Sequence, residues 1–376
     1  MDNAICRMFG NSVPILAFSH CRDVVLEVSK AGGIGVLGMA YLTLEQAQVD
    51  LKWIDERIGD KPYGIDILAG YKGAVETDFV PELQFSEQHR DFIQNILDEA
   101  GIPREKDPIA EASLISQEMK VVGPSFETFS FMPNEDEEMF ELALKHKVKL
   151  LVSAFGTPPQ SYIDRARERG LKVAALASDP KHALKHKAAG LDFVIAVGTE
   201  AGGHTGSVTS LVLWPRIVDA VSPMPVVGGG GVGRGRQLAA ALALGCEGVW
   251  CGSVWLNTVE SEVTPEIKAK MFAARSEDAV ITRSLTGKPC RVLRSGYTDA
   301  WERKDAPPLL PPARQALLWW GMGRRRVAKS QAPEFVTYPV GQIVGDMTQE
   351  TSVRQVVEGM LHEFLESKER LDRFFG

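Results

Sequence analysis

The residues best suited to chemistry lie in one glycine-rich stretch, residues 198–206, which reads GTEAGGHTG. It follows an apolar run at 193–197 that is typical of a buried strand. Glycine loses more backbone entropy on folding than other residues, so this density of glycine indicates a loop whose backbone approaches a ligand closely. The loop carries His204, and a histidine of ordinary pKa, about 6.5, suits proton transfer near neutral pH. We predict that His204 is a general base; a histidine that merely bonds a backbone carbonyl is the alternative.

A second glycine run follows, at residues 225–233, which read PVVGGGGVG and lead into a helix of strong helix formers at 234–244. The next apolar strand ends in a turn of small residues. Backbone N–H groups at such strand ends bind phosphate without a cation. We predict a phosphate site formed by Gly229, Gly230, Gly231, Gly252 and Ser253. The alternative is two tight turns without a ligand.

Short apolar strands recur along the chain and are separated by helical segments. We predict eight strands, at 13–17, 34–38, 63–68, 149–154, 172–177 and 193–197 and in the two glycine units that begin at 225 and 248. This rhythm favours an α/β fold, a (β/α)8 TIM barrel with an α-helical accessory region. Residues 1–68 and 149–294 form the predicted barrel, 69–148 a helical insertion or lid, and 295–376 a C-terminal helical extension. Helices are predicted in the insertion at 85–100, 109–119 and 132–147, after the histidine loop at 215–221, and near the C-terminus at 353–371.

The composition limits the partners of this protein. A net charge of −7 argues against non-specific binding of nucleic acid, and no apolar run is long enough to span a membrane. The N-terminus lacks the pattern of a signal peptide, and the five cysteines lack the spacing of a metal site. We therefore expect a cytoplasmic protein that binds no metal and acts on a small molecule. The formation of a homo-oligomer is left open.

Together these motifs resemble the nitronate monooxygenase (2-nitropropane dioxygenase) family. The resemblance rests on the histidine loop, the glycine run, the helix at 239–245 and the stretch TRSLTGKPCR at 282–291. It is weak over 13–68 and strong over 149–294. The same family includes FMN-dependent NADH:quinone reductases and FMN-type enoyl-ACP reductases.

The resemblance implies an FMN-dependent oxidoreductase that oxidises alkyl nitronates with O2, with His204 taking the α-proton of a neutral nitroalkane. The residues it places beside the flavin are Ala17, Phe18, Ser19, Asp66, Gly202 and Gly203. The alternative is an NAD(P)H-dependent FMN reductase or dehydrogenase acting on an enone, a quinone or a bulky acyl (CoA) thioester, with NAD(P)H as a transient electron donor. A third hypothesis is a flavin-binding protein without catalysis, against which His204 argues.

Departures from the family pattern favour the NAD(P)H-dependent reductase or dehydrogenase over the nitronate-oxidising enzyme. Asp66 stands where relatives have an Asn that contacts FMN, and its carboxyl would have to be protonated or turned away to replace an amide donor. Val197 stands where many relatives have Gln. The first loop differs most, and it leaves His20 and Cys21 either facing the site or packed in the loop. The basic cluster 324–326 is interpreted as a solvated face, or as a clamp for an anionic substrate such as a CoA thioester.

Overall fold

The computed structural model describes residues 1–40, 42–69, 85–103, 135–324, 326–327 and 332–375. Within these ranges, eight parallel strands close into a barrel, which confirms the predicted TIM barrel. The barrel strands are β1 (Ile15–Ser19), β2 (Ile34–Gly38), β3 (Tyr63–Ile67), β4 (Leu150–Ser153), β5 (Lys172–Ala177), β6 (Phe193–Val197), β8 (Val226–Gly229) and β9 (Gly248–Cys251). Each strand pairs with the next in this order, and β9 closes the ring by pairing with β1.

Three short strands form a second sheet outside the barrel. They are β7 (Gly203–His204), β10 (Ala279–Thr282) and β11 (Cys290–Leu293), with β11 in the middle and both neighbours antiparallel to it. Because β7 follows the carboxyl end of β6 after a few residues, this sheet lies at the carboxyl ends of the barrel strands. Active sites of TIM barrels lie at this end.

Helices surround the barrel and build the accessory region. They are α1 (Ala4–Phe9), α2 (Arg22–Lys30), α3 (Leu44–Arg57), α4 (Glu87–Glu99), α5 (Glu135–Ala143), α6 (Gln160–Glu168), α7 (Pro180–Ala188), α8 (Ser210–Val221), α9 (Gly235–Ala243), α10 (Pro265–Ala273), α11 (Gly296–Ala300), α12 (Pro312–Leu318) and α13 (Val353–Phe375). None of the described helices is both long and apolar enough to cross a lipid bilayer. The prediction for α8 was wrong at its start, since the helix begins five residues before Pro215 and contains that proline.

Alternation along the strands decides which side chains face the barrel interior. The interior is a packed apolar core that includes Leu16, Val36, Val152, Ile195 and Trp250, and Ile5 of α1 joins this core from the N-terminal end. The residues of opposite phase pack against the surrounding helices. Side chains of the inner phase near the strands' carboxyl ends therefore form the floor of any site at the barrel mouth.

The insertion and the C-terminal extension meet in one apolar cluster. Helix α4 contributes Phe92 and Ile96, and the later part of the chain contributes Tyr297, Trp301 and Trp319. Helix α5 packs instead against α3 and β3, so it takes the place of the third barrel helix. Helices α4 and α5 match two of the predicted insertion helices, although α5 is shorter than predicted; the helix predicted at 109–119 lies outside the described residues. The domain boundaries stay a prediction.

Part of the basic cluster 324–326 is buried. The side chain of Arg326 is 3% exposed; its guanidinium donates to the carbonyl oxygens of Ile102 and Pro103 and pairs with Asp98 at 3.1 Å. Arg326 therefore holds the end of α4 against the C-terminal extension, and neither predicted role fits it. Residue 325 and the side chain of residue 324 lie outside the described part of the structure.

Candidate active site

His204 lies on β7, and its backbone pairs with Cys290 on β11. Its Nδ1 lies 3.1 Å from the carbonyl oxygen of Pro289, so a neutral imidazole donates Nδ1–H there and keeps Nε2 as an acceptor. Phe155 meets the imidazole edge-on, with 5.6 Å between ring centroids. Burial lowers the pKa of His204; the bond to Pro289 acts in the opposite direction, and the charge of Lys288 adds to the lowering. At neutral pH His204 is thus uncharged and able to accept a proton at Nε2.

Three side chains hold the histidine loop in shape. Glu200 accepts the backbone N–H and the hydroxyl of Ser210 at 3.0 and 2.9 Å, which anchors the loop to the start of α8. Thr205 donates its hydroxyl to the carbonyl oxygen of Gly198 at 2.9 Å. Buried Arg291 donates from Nε to the carbonyl oxygen of Thr199 at 2.9 Å, and its guanidinium also bonds the carbonyl of Ala279. Sequence reasoning assigned no role to Arg291.

The two predicted flavin-facing glycines of the loop have different surroundings. A Cβ at Gly202 would lie 2.7 Å from the carbonyl carbon of Val340, so the C-terminal extension already fills that space. Gly203 has a φ of +78°, and no atom of the described residues lies within 4 Å of the position of a Cβ there. The absence of a side chain at Gly202 is thus explained by packing within the chain, whereas Gly203 leaves room for a ligand. Contact of either residue with flavin stays a prediction.

The ends of β8 and β9 present backbone N–H groups that have no acceptor in the described part of the chain. No acceptor is found within the described ranges for the N–H groups of Gly230, Gly231, Val232, Gly252 and Ser253. Gly230 and Gly231 have φ of +112° and +67°, which side-chain-bearing residues rarely adopt. Ser253 accepts the N–H of Gly341 at 2.8 Å and keeps its hydroxyl hydrogen for another acceptor. Unpaired N–H groups on two adjacent loops fit an anion such as a phosphate.

The end of β1 contributes one side chain to the barrel interior. Phe18 packs on the interior core, with its ring centroid 5.8 Å from that of Trp250. Ala17 has the opposite phase and is buried among the outer helices, so only its backbone can approach a ligand. The hydroxyl of Ser19 accepts the N–H of Cys21 at 3.1 Å, in the turn that leads into α2. Cys21 also belongs to the outer core and donates Sγ–H to the carbonyl of Glu260; burial raises its pKa to about 11.

His20 and Asp66 meet the same residue, Gly38 on β2. The Nδ1 of His20 lies 2.8 Å from the carbonyl oxygen of Gly38, and a Cβ on that glycine would be 2.7 Å from the imidazole ring. Burial lowers the pKa of His20 to about 4. Asp66 is paired with Gly38 across the sheet and is 3% exposed. Burial raises the pKa of its carboxyl well above the ordinary value, which agrees with the expected protonation of this carboxyl.

A cavity of about 600 Å³ lies beside the histidine loop. Thr205 and Ser207 line it from the loop, Arg283 and Pro289 from the segment around β11, and Trp301 from the accessory cluster. The carbonyl that fixes His204 thus belongs to a residue of the cavity wall. Sequence reasoning missed this cavity, because its walls come from segments that are far apart in the chain.

This chain is similar in sequence to a known protein family and to named proteins. A family model described as nitronate monooxygenase matches residues 19–363. A Mycobacterium tuberculosis protein, named provisionally as a monooxygenase, is 44% identical over 378 residues, which cover 98% of this chain and 97% of that protein. A Staphylococcus saprophyticus protein, named provisionally as a nitronate monooxygenase, is 27% identical over 306 residues, which cover 77% of each chain.

Solved structures of two other proteins share the fold of this chain. FabK from Thermotoga maritima superposes with a TM-score of 0.74 at 25% identity, covering 100% of this chain and 99% of its own. A nitroalkane oxidase from Streptomyces ansochromogenes superposes with a TM-score of 0.73 at 24% identity, covering 98% and 99%, and this supports the fold. The resemblance seen in the motifs therefore extends over most of the chain. The protein is an enzyme of the oxidoreductase class, and it belongs to the nitronate monooxygenase family.

Proposed function

We propose that this protein is an FMN-dependent enzyme that oxidises alkyl nitronates with O2. The observation that carries the proposal is the hydrogen bond from Nδ1 of His204 to the carbonyl of Pro289, which leaves Nε2 as a base at the carboxyl end of the barrel. The names of relatives add support, since several are named provisionally as nitronate monooxygenases and a protein of the same fold is a nitroalkane oxidase.

The unpaired N–H groups at the ends of β8 and β9 are the proposed site of the FMN phosphate. Backbone N–H groups suit this dianion because they concentrate positive dipole ends without a mobile side chain. Phe18 and Gly203 would border the flavin ring, since Phe18 belongs to the interior face and Gly203 has open space beside it. When bound, FMN supplies the electron-accepting centre and the reaction with O2.

His204 has a different task with each form of the substrate. A neutral nitroalkane must lose its α-proton, and Nε2 of His204 takes this proton while Nδ1–H keeps its bond to Pro289. The carbonyl then faces a positively charged imidazolium and stabilises it. A nitronate has already lost this proton, so His204 only orients it.

Anaerobic stopped-flow spectroscopy of the purified protein tests the proposal. The enzyme is mixed separately with propyl-2-nitronate, with NADH and with NADPH, and the flavin absorbance is followed; free FMN is the control. Rapid bleaching by the nitronate alone is the expected result. Bleaching by NADH or NADPH but not by the nitronate would replace this proposal with the reductase or dehydrogenase of an enone, quinone or acyl thioester. A protein that binds no flavin would overturn both.

A further inference from the structure

The carboxyl group of Asp66 faces the barrel interior. On β3, Asp66 pairs with Gly38 of β2 and with Val152 of β4. Val152 belongs to the interior core, whereas Ile65 and Ile67, the neighbours of Asp66 in sequence, pack among the outer helices. Residues directly opposite on adjacent strands point to the same face of a sheet. Asp66 therefore points inward, at the carboxyl end of its strand, where the proposed flavin site lies.

This carboxyl has no partner within the described part of the chain. Asp66 is 3% exposed, and no hydrogen bond or ion pair to its side chain is found among those residues. The titratable side chain that lies against Gly38, the β2 partner of Asp66, is His20, in the turn after β1. Because burial lowers the pKa of His20 to about 4, this imidazole is neutral and offers no compensating charge at neutral pH. Burial without a cation therefore raises the pKa of Asp66.

A protonated carboxyl group carries an O–H donor, and buried donors are seldom left without an acceptor. Val152 and Gly38, which flank Asp66 on the inner face, carry no side-chain acceptor, and among the described residues no hydrogen bond joins the carboxyl to the imidazole of His20. The acceptor is therefore expected from a ligand that fills the barrel mouth. The ring of a flavin offers such acceptors, in its carbonyl oxygens and unprotonated ring nitrogens.

We propose that Asp66 is a neutral acid that donates its proton in a hydrogen bond to bound flavin, so that flavin affinity is linked to pH. This inference rests on the proposed function, because it needs the flavin that the proposed function assigns. An ionised Asp66 would lose the donor and would direct a negative charge at the acceptor atoms. Affinity for FMN is therefore highest at low pH, where Asp66 is protonated. It falls once the pH exceeds the pKa of Asp66 in the flavin-free protein, by up to about tenfold per pH unit.

The test is a titration of flavin-free protein with FMN, followed by quenching of flavin fluorescence, from about pH 6 to about pH 9. Asp66→Asn provides a donor that does not titrate, and it also corrects for the ionisation of FMN itself. Asp50→Asn is the matched control, because burial also raises the pKa of Asp50 but this residue lies on α3 and pairs with Arg22 outside the barrel. Between about pH 6 and about pH 9, we expect the Kd for FMN to rise in the wild type and in Asp50→Asn. The rise should be about tenfold or more larger than the rise seen in Asp66→Asn over the same range.

Parallel pH profiles for the wild type and Asp66→Asn would overturn the inference. Should Asp66→Asn fail to fold, infrared difference spectra of the wild type with and without FMN decide the matter. A protonated carboxyl band that shifts on FMN binding supports the proposal, and the absence of such a band overturns it. No nitronate or NAD(P)H is used, so these results are independent of the reaction catalysed. Failure to bind any flavin would sink the proposed function as well.

Discussion

The Nδ1 of His204 lies 3.1 Å from the carbonyl oxygen of Pro289, 85 residues further along the chain. Backbone pairing of His204 with Cys290 fixes both residues in register. Since a carbonyl can only accept, this bond makes Nδ1 the donor of the neutral ring and Nε2 the acceptor. The two interpretations of His204 are therefore compatible: the bond to a backbone carbonyl is the one that prepares the ring to act as a base.

Replacing His204 by Asn should separate the two forms of the substrate. With a neutral nitroalkane, kcat/KM should fall about 10²-fold to 10⁴-fold, the usual contribution of a general base. With the preformed nitronate the loss should be much smaller, because no proton has to be removed. Oxygen consumption with 2-nitropropane and with propyl-2-nitronate measures both. Equal losses for the two substrates would show that His204 only positions them.

The pH dependence should report the altered environment of His204. Because burial lowers its pKa, kcat/KM for a neutral nitroalkane should rise with pH and level off around a pKa below the ordinary value of about 6.5. The positive charge of Lys288 contributes to this lowering, so Lys288→Met should move the kinetic pKa upward and Lys288→Arg should leave it in place. A profile unchanged by Lys288→Met would contradict this role of Lys288.

Gly252 offers a clean test of the phosphate site. Its φ of −120° is ordinary, and a Cβ there would have its nearest neighbour, Phe18, at 3.9 Å, so a side chain fits. Gly252→Asp brings a carboxylate near the bound anion and should weaken FMN binding at least about a hundredfold. Gly230→Asp is less informative, because the φ of Gly230 strains any side chain.

Two variants of Gly252 isolate the effect of charge. Gly252→Asn has nearly the same shape as the Asp variant but no charge, and Gly252→Ala tests for simple crowding. Both should retain FMN with nearly wild-type affinity, measured by flavin fluorescence quenching. Equal loss of FMN in the Asn and Asp variants would attribute the effect to shape and remove the support for a phosphate at this turn.

The barrel was predictable because its signals are local. Each strand is a short apolar run between glycines or polar turns, and every predicted barrel strand overlaps an observed one. The place of His204 at a strand's carboxyl end follows from the same pattern. The inward direction of Asp66 follows from strand alternation once the register is known.

Contacts between distant segments could not be predicted in this way. Arg291 bonds the carbonyl of Thr199, 92 residues earlier, and Val340 fills the space beside Gly202. Neither contact leaves a periodic signal in the sequence. The start of α8 was missed for a similar reason, since Glu200 anchors it through Ser210 from outside the helix. The sequence therefore located the barrel strands and the glycine loops better than the long-range contacts that hold those loops in place.

Arg291 should be needed to hold the histidine loop. Arg291→Met leaves the carbonyls of Thr199 and Ala279 without their donors and should lower the free energy of unfolding by about 2 to 3 kcal/mol. It should also lower kcat for a neutral nitroalkane, because the loop that carries His204 loses an anchor. Arg294→Met is the control, since Arg294 is exposed and its ion pair with Asp299 should contribute less than about 1 kcal/mol. Equal effects of the two variants would count against the anchoring role.

The free energy of unfolding should respond in opposite ways to two glycine substitutions, one in the contact between α9 and α13 and one on the exposed side of α13. Gly235 lies at the start of α9, where a Cβ would overlap the carbonyl oxygen of Met360 and lie 2.5 Å from the backbone nitrogen of Phe364. Gly235→Ala should therefore force the helices apart and lower the free energy of unfolding by about 1 to 3 kcal/mol. Gly359 lies within α13, and none of the described residues comes within 4 Å of a Cβ position there, so Gly359→Ala should raise the free energy of unfolding by about 0.5 to 1 kcal/mol. Urea unfolding of both variants measures these changes, and a loss of stability in Gly359→Ala would show that α13 is packed differently.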